Sequence, residues 1–243
     1  MRVLCPPIAD HAQGLIMAAL GERAWPEIDG RPTLLVPVGS TEQHGPHLPM
    51  DTDARVAVAV AAGAAGTGAL LVAPPVAYGA SGEHEGFPGT VSIGHDALRL
   101  LLVELGRSAS RWAGRLVFVN GHGGNVPTLV DAIRLLRYEG RDAAWFACAP
   151  GGDAHAGRTE TSLVLALAPA LVRGDPVAGN PAPLRELLPA MRAGGVAAVS
   201  PNGVLGDPAR ASAEEGERLL ASMTEALTAA LTRWTPDASG RLT

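Results

Sequence analysis

The chain has 243 residues, of which 47 % are hydrophobic and 18 % are charged, and its formal net charge is −5. This composition is typical of a globular protein and excludes an intrinsically disordered one. Nucleic acid is also excluded as a partner, because its binding depends on basic patches that neutralise phosphates, and the chain has no basic stripe.

The sequence carries no targeting or membrane signal that we can identify. Residues 1–14 lack the basic start and the long apolar segment of a signal peptide. No run of about 18 apolar residues occurs, so we expect no membrane-spanning helix. Cys5 and Cys148 form no CxxC pair or disulfide framework, which fits a reducing compartment. The sequence therefore predicts a cytoplasmic protein.

Short apolar runs alternate with helical patterns along the chain. In chain order, the predictions are a strand at Thr33–Val38, a helix at 53–65, a strand at Leu70–Ala73, a helix at Asp96–Trp112, a strand at Leu116–Val119, a helix at 126–136, a strand at Ala143–Ala147 and helices at 159–168 and Ala213–Trp234. Residues 180–208 are expected to be loop-rich. This alternation predicts a single three-layer α/β/α domain over residues 1–243, with a largely parallel sheet.

The second predicted helix illustrates the pattern. Its apolar residues recur at helical spacing and predict one buried stripe that faces the sheet. The stripe consists of Leu98, Leu101, Leu102, Leu105, Ala109 and Trp112.

Three loops that follow predicted strands carry ionisable side chains. They contain Glu42, His44, His47, Asp51 and Asp53 in the first loop, His122 in the second (NGHGGN), and Asp153, His155 and Glu160 in the third. In a parallel sheet these loops open onto one crevice, where ligands usually bind. Imidazole and carboxylate groups together are suitable ligands for divalent metals. The three loops together predict a metal site.

Each loop alone has a simpler interpretation. Asp153 and Thr159 stand where a helix cap is expected. NGHGGN is glycine-rich enough to cradle phosphate, but it lacks the lysine of a P-loop. His11 and His95 are expected to be structural or exposed. His47 is a candidate to orient a ligand from outside the site.

Five segments in order resemble the creatininase family of metal-dependent amidohydrolases. They read GSTEQHGPHLPMDTD, SGEHEGFPGTVSIG, VFVNGHGGN, DAHAGRTETS and GVLGDPARASAEEG. The resemblance covers about residues 30–234. It implies a creatininase-like fold, two divalent metal ions per subunit (Zn²⁺ or Fe²⁺, or else Mn²⁺), and a closed homo-oligomer such as a hexamer.

Within the family, residues 183–208 and the HAGRTETS segment are most similar to the peptidase branch of the mycofactocin system. That resemblance implies a ribosomal precursor peptide as the substrate. It further implies that a radical enzyme decarboxylates and crosslinks the last two residues of this peptide beforehand. The implied reaction hydrolyses an amide bond and releases the modified C-terminal Val-Tyr dipeptide.

The resemblance also implies the ligands, position by position. Glu42, Asp53 and His122 correspond to the ligands of one metal, and His44 with the bridging Asp53 to those of the other. Creatininase itself has a glutamate where this chain has Gly124, which argues against creatininase activity. In relatives with NGHGGN, the missing carboxylate comes from the HAGxxET motif, which is Glu160 here.

The implied mechanism is attack on an amide by a hydroxide generated between the two metals. We expect His155 to act as the general acid/base, with Glu160 beside it. The resemblance places His84 and Phe87 of the 81–90 loop in the substrate pocket. Two other functions stay open: another amidohydrolase of this family that acts on a small cyclic amide or a formamide, and a non-catalytic α/β binding or assembly protein.

Overall fold

The strands of the described residues form one four-stranded sheet. The computed structural model describes residues 18–66 and 70–243, so the predictions for Cys5 and His11 lie outside the described residues. The strands are β1 (Thr33–Val38), β2 (Leu70–Val72), β3 (Arg115–Asn120) and β4 (Ala143–Ala147). They lie in the order β2-β1-β3-β4, and every pairing is parallel. The predicted strands are confirmed to within one residue at each end.

Six α-helices occur in the described part of the chain. They are α1 (Thr52–Ala65), α2 (Gly94–Ala109), α3 (Val126–Tyr138), α4 (Arg158–Leu167), α5 (Leu184–Gly194) and α6 (Ala213–Arg233). Short 3₁₀ turns lie between them, including Gly82–His84 and Gly123–Asn125. None of the described helices is long and apolar enough to cross a membrane.

Helix α5 corrects the prediction that residues 180–208 are loop-rich. Leu184, Leu187, Leu188 and Met191 follow a helical period, but Pro189 lies inside the helix. An interior proline normally removes a backbone hydrogen bond and disfavours a helix. Here the helical period continues through Pro189, and residues 184–194 are helical.

The helices cover both faces of the sheet, which confirms the α/β/α prediction. Alternate residues of a strand point to opposite faces. Leu34, Val36 and Val38 of β1 pack in one core with α2 and α3. Leu35 packs in a second core with residues of α1 and α6. Two details of the α2 prediction are wrong. Leu101 is 38 % exposed instead of buried, and the helix ends at Ala109, so Trp112 lies beyond it.

The sheet brings the polar loops together at one edge. Val38 at the end of β1 is paired with Asn120 at the end of β3, and Asn120 is paired with Ala147 of β4. The first residue after β3 is Gly121, where a Cβ would collide with the backbone oxygen of Asp53. Because Gly121 has no side chain, the first turn of α1 can approach the end of β3. This approach places Asp53 between the first two loops.

Candidate metal centre

The three loops and the 81–90 loop together contribute the side chains of a buried cluster of imidazoles and carboxylates. Its members are Glu42, His44, Asp53, His84, His122 and His155, all buried, and the partly exposed Glu160. The five predicted metal ligands are all among them. Water is largely excluded from such a cluster, so its charges interact strongly.

The first predicted ligand set converges on His122. Its Nδ1 lies 3.2 Å from Glu42 Oε2 and 3.2 Å from Asp53 Oδ2. Its Nε2 lies 3.1 Å from the carbonyl oxygen of Ala80. A carbonyl oxygen only accepts hydrogen bonds, so Nε2 carries the proton there. In the neutral ring the Nδ1 lone pair therefore faces the two carboxylates, as a metal ligand requires.

The second predicted set meets at His44. Its Nε2 lies 3.1 Å from Asp53 Oδ1 and 3.8 Å from Glu160 Oε2. Its Nδ1 donates to the carbonyl oxygen of Glu42 at 3.1 Å. Asp53 thus faces His44 with one oxygen and His122 with the other. His155 Nδ1 lies 3.9 Å from Glu160 Oε2, so the predicted acid/base is a neighbour of the predicted ligand.

The start of α4 holds Glu160 in place. The carboxylate of Asp153 accepts hydrogen bonds from the backbone nitrogens of Arg158 and Thr159. This confirms the simpler interpretation of Asp153 as a helix cap. Thr159 does not cap the helix but lies within it. Glu160 Oε2 accepts from the backbone nitrogen of Ala156 at 2.6 Å, which fixes the direction of the side chain.

The donor set fits divalent metal ions. Both carboxylate oxygens of Glu42 are buried without a hydrogen-bond partner among the described residues. Burying a charged oxygen without a partner is costly, whereas a cation satisfies it. Three groups have ligand atoms within 4.8 Å of one another: Glu42–His84–His155, His44–His155–Glu160 and Glu42–His44–Asp53. Geometry therefore adds His84 and His155 to the five predicted candidates.

The cluster stabilises positive charge. Burial and the nearby Asp53 oppose ionisation of Glu42, yet His122 and His84 lower its pKa to about 2. Burial lowers the pKa of His44, but Asp53 and Glu160 overcome this effect and raise the pKa to about 10. By contrast, burial lowers the pKa of His84 to about 3, so this ring is neutral near pH 7.

Metal binding near pH 7 should release protons. With a pKa near 10, His44 is protonated in the metal-free protein, whereas an imidazole that binds a metal must be neutral. We expect about one proton or more to be released per subunit, and the apparent affinity of the site that contains His44 to rise with pH until about pH 10. Titration calorimetry in buffers of different ionisation enthalpy measures the number of protons released and the metal affinity at each pH. A pH-independent affinity between pH 7 and 9 would contradict the prediction.

The structure also shows supporting residues that the sequence interpretation missed. Ser40 Oγ donates to Asp53 Oδ2 at 2.6 Å. Gln43 contacts His84 and His155. Glu83 Oε1 lies 3.6 Å from His122 Nε2. Ser40 and Gln43 stand within the GSTEQH segment beside the predicted ligands, so their position in that motif was a usable signal.

The other predicted site residues lie around the cluster or apart from it. His47 Nε2 is 2.9 Å from Thr161 Oγ1, next to Glu160 in the chain. Asp51 accepts from Arg55 and takes no part in the cluster. Phe87 packs against a small apolar group beside α5, and its place in a substrate pocket stays a prediction. His95 is exposed, as expected, and bonds to Thr128.

Cys148 is a free thiol. Burial of the sulfur raises its pKa, and the charge of Asp53 adds to this effect. A thiol with a raised pKa is a poor nucleophile near pH 7, because the thiolate is the reactive form. Cys148 therefore offers no competing nucleophile to the cluster.

Neighbouring atoms occupy the space that a side chain at position 124 would need. A Cβ there would overlap His122 Nε2 and would lie 2.6 Å from the Ala80 oxygen and 2.7 Å from Glu83 Oε1. We expect Gly124→Ala to displace the His122 ring. Metal affinity should fall about 10–100-fold, and the free energy of unfolding should fall by about 1–3 kcal/mol. Metal titration and urea unfolding measure these two effects.

Gly123 provides the matched control for this variant. No described atom lies within 4 Å of a Cβ built at Gly123. Gly123→Ala should therefore leave metal affinity close to that of the unaltered protein. Equal affinities for the two alanine variants would show that the space at Gly124 does not matter.

Comparison with known proteins identifies the family of this chain. Residues 21–231 match the family model Creatininase, described as creatinine amidohydrolase. The mycofactocin precursor peptide peptidase of Mycolicibacterium smegmatis is 63 % identical over 220 residues, which cover 87 % of this chain and 89 % of that protein.

Solved structures of creatininases are similar to the whole fold. One, described as the Mn form, has a TM-score of 0.73 and 30 % identity, and the match covers 90 % of this chain and 99 % of that one. A mutant of the Zn-Zn type has a TM-score of 0.71 and 30 % identity, with 90 % and 98 % covered. The resemblance seen in the sequence is thus confirmed across nearly the whole chain.

Proposed function

This chain belongs to the creatininase family, and we propose that it is a metal-dependent peptidase of mycofactocin biosynthesis. It hydrolyses an amide bond of the modified precursor peptide and releases the C-terminal Val-Tyr dipeptide. The observation that carries the proposal is the buried Asp53 carboxylate, which faces His44 with one oxygen and His122 with the other. The 63 % identity to a peptidase of that name supports the choice of substrate.

The proposal treats residues 1–243 as a single creatininase-like metallohydrolase domain with two divalent ions, Zn²⁺, Fe²⁺ or Mn²⁺. Glu42, Asp53 and His122 would hold one ion, and His44, Asp53 and Glu160 the other. When bound, such ions lower the pKa of water and polarise the scissile carbonyl. The Zn-Zn and Mn descriptions of the creatininase structures support Zn²⁺ and Mn²⁺, and mixed nitrogen and oxygen ligands suit all three metals.

In this proposal the protein's own groups orient the site and move the proton. His44 and His122 each donate one N–H to a backbone carbonyl, which fixes their ring orientation. His155 Nε2 lies 2.8 Å from the carbonyl oxygen of Gln43, so it carries the proton and leaves the Nδ1 lone pair free. Nδ1 then accepts a proton from the attacking water and returns it to the leaving amine.

The test is to incubate the metal-loaded protein with the crosslinked precursor peptide and to analyse the products by mass spectrometry. We expect a shortened peptide and the released dipeptide. Metal-free protein should release neither product. Hydrolysis of a small cyclic amide or a formamide, together with an intact precursor peptide, would overturn the proposed substrate and favour the alternative amidohydrolase.

The proposal also includes a cytoplasmic location and a closed homo-oligomer such as a hexamer. An open groove of about 590 Å³, lined mostly by apolar residues, lies between the β2 end and α2, apart from the cluster. Two of the residues that line it are solvent-exposed: Tyr78 to 51 % and Leu101 to 38 %. Association of subunits is a common reason for an exposed apolar patch. Light scattering of the purified protein measures the subunit number.

A further inference from the structure

The side-chain amide of Gln43 has a fixed orientation. Its Oε1 accepts from the backbone nitrogen of Gly45 at 2.8 Å, and its Nε2 donates to the carbonyl oxygen of Gly203 at 3.1 Å. A flipped amide would place two donors against each other at Gly45 and two acceptors at Gly203. The two backbone partners therefore settle which atom is nitrogen.

This orientation sets the tautomer of His84. Gln43 Nε2 lies 2.8 Å from His84 Nδ1, so it donates its second hydrogen to that ring nitrogen. A neutral imidazole that accepts at Nδ1 carries its proton at Nε2. His84 Nε2 lies 3.3 Å from Glu42 Oε1, so its N–H is on the side of the ring that faces the candidate metal centre, without a hydrogen bond to that oxygen.

The other three imidazoles of the cluster have the opposite arrangement. His44, His122 and His155 each donate one N–H to a backbone carbonyl, at 3.1, 3.1 and 2.8 Å. Their remaining nitrogen, which faces the carboxylates, is therefore the one that can offer a lone pair. When all four rings are neutral, as metal binding requires of a ligand, His84 alone presents a hydrogen to the cluster, although its distances also fit a metal ligand.

We propose that His84 is a hydrogen-bond donor to the carbonyl oxygen of the scissile amide instead of a metal ligand, and that Gln43 is the positioning residue that sets its tautomer. The role as donor rests on the proposed amide hydrolysis. A donor held in place before the reaction stabilises the negative charge that develops on this oxygen during attack. The tautomer of His84 and the number of metal ligands do not depend on which substrate the protein hydrolyses.

Two variants of His84 separate the possible roles. His84→Ala removes the donor, whereas His84→Gln keeps an N–H near the Nε2 position but cannot exchange a proton near pH 7. We expect both variants to retain the metal content of the unaltered protein by elemental analysis. The kcat of His84→Ala should be about 10²–10³-fold lower than that of the unaltered protein. His84→Gln should recover most of this loss.

Two outcomes would overturn the proposal. Loss of one metal equivalent in both variants would make His84 a ligand. If His84→Gln were as slow as His84→Ala, the N–H would not be the group that matters. These kcat values are measured on whichever amide the protein hydrolyses, so failure with the precursor peptide would refute the proposed substrate without refuting the role of His84.

Gln43→Met tests the positioning residue directly, by ¹⁵N NMR of the histidine side chains in the Zn²⁺-loaded protein. In the unaltered protein we expect His84 with its proton on Nε2, and in Gln43→Met a mixture of tautomers. His122 is an internal control, because its Nε2 donates to the backbone oxygen of Ala80, which the substitution keeps. A proton on Nδ1 of His84 in the unaltered protein would overturn the proposal.

Discussion

Asp53→Asn is expected to remove both metal equivalents and to lower kcat/KM by on the order of 10³-fold or more. Asp53 lies between the two proposed sites, within 3.2 Å of both His44 and His122. The substitution keeps the shape but removes the negative charge that offsets the repulsion between two cations, and it replaces one ligand oxygen by an NH₂ group. Elemental analysis and steady-state kinetics measure the two effects.

Asp51→Asn is the matched control. Asp51 lies two residues earlier in the same loop, and its carboxylate accepts from Arg55 Nε at 2.7 Å. A surface pair of this kind contributes about 1 kcal/mol or less. We expect metal content and activity close to those of the unaltered protein. Full metal content and full activity in Asp53→Asn would refute the shared-carboxylate site.

Glu160→Gln is expected to lose one metal equivalent and to lower kcat/KM about 10²–10³-fold. Glu160 Oε2 lies 3.8 Å from His44 Nε2 and 3.9 Å from His155 Nδ1. In the proposed site it takes the place of the carboxylate that creatininase has at the position of Gly124. The other site, at Glu42, Asp53 and His122, should keep its ion, so the loss is partial.

Glu83→Gln is the competing variant for this assignment. Glu83 Oε1 lies near Gly124, but it approaches Nε2 of His122, which already donates to Ala80. We therefore expect Glu83→Gln to retain both metal equivalents. Loss of a metal in Glu83→Gln together with full metal content in Glu160→Gln would reverse the assignment.

Most of the fold could be predicted from local pattern. The strands were found because short apolar runs that end at glycine, proline or asparagine are visible within a few residues. The helical period of α2, α3 and α6 was visible in the same way. Helix α5 was not predicted; it contains Pro189, which disfavours a helix, and tertiary packing of Leu187 nevertheless stabilises it. Leu101 fits the period of α2, but it lies beside an open groove instead of the core.

The sequence by itself determined which side chains are available for metal chemistry and at which strand ends they stand. It could not determine which ring nitrogen each histidine presents, because this depends on partners distant in sequence. Gln43 is oriented by Gly203, 160 residues away, and it sets the tautomer of His84, 41 residues away. Hydrogen bonds of this kind form only when the loops have packed against one another. Tertiary structure therefore decided that one imidazole of the cluster is a donor and three are potential ligands.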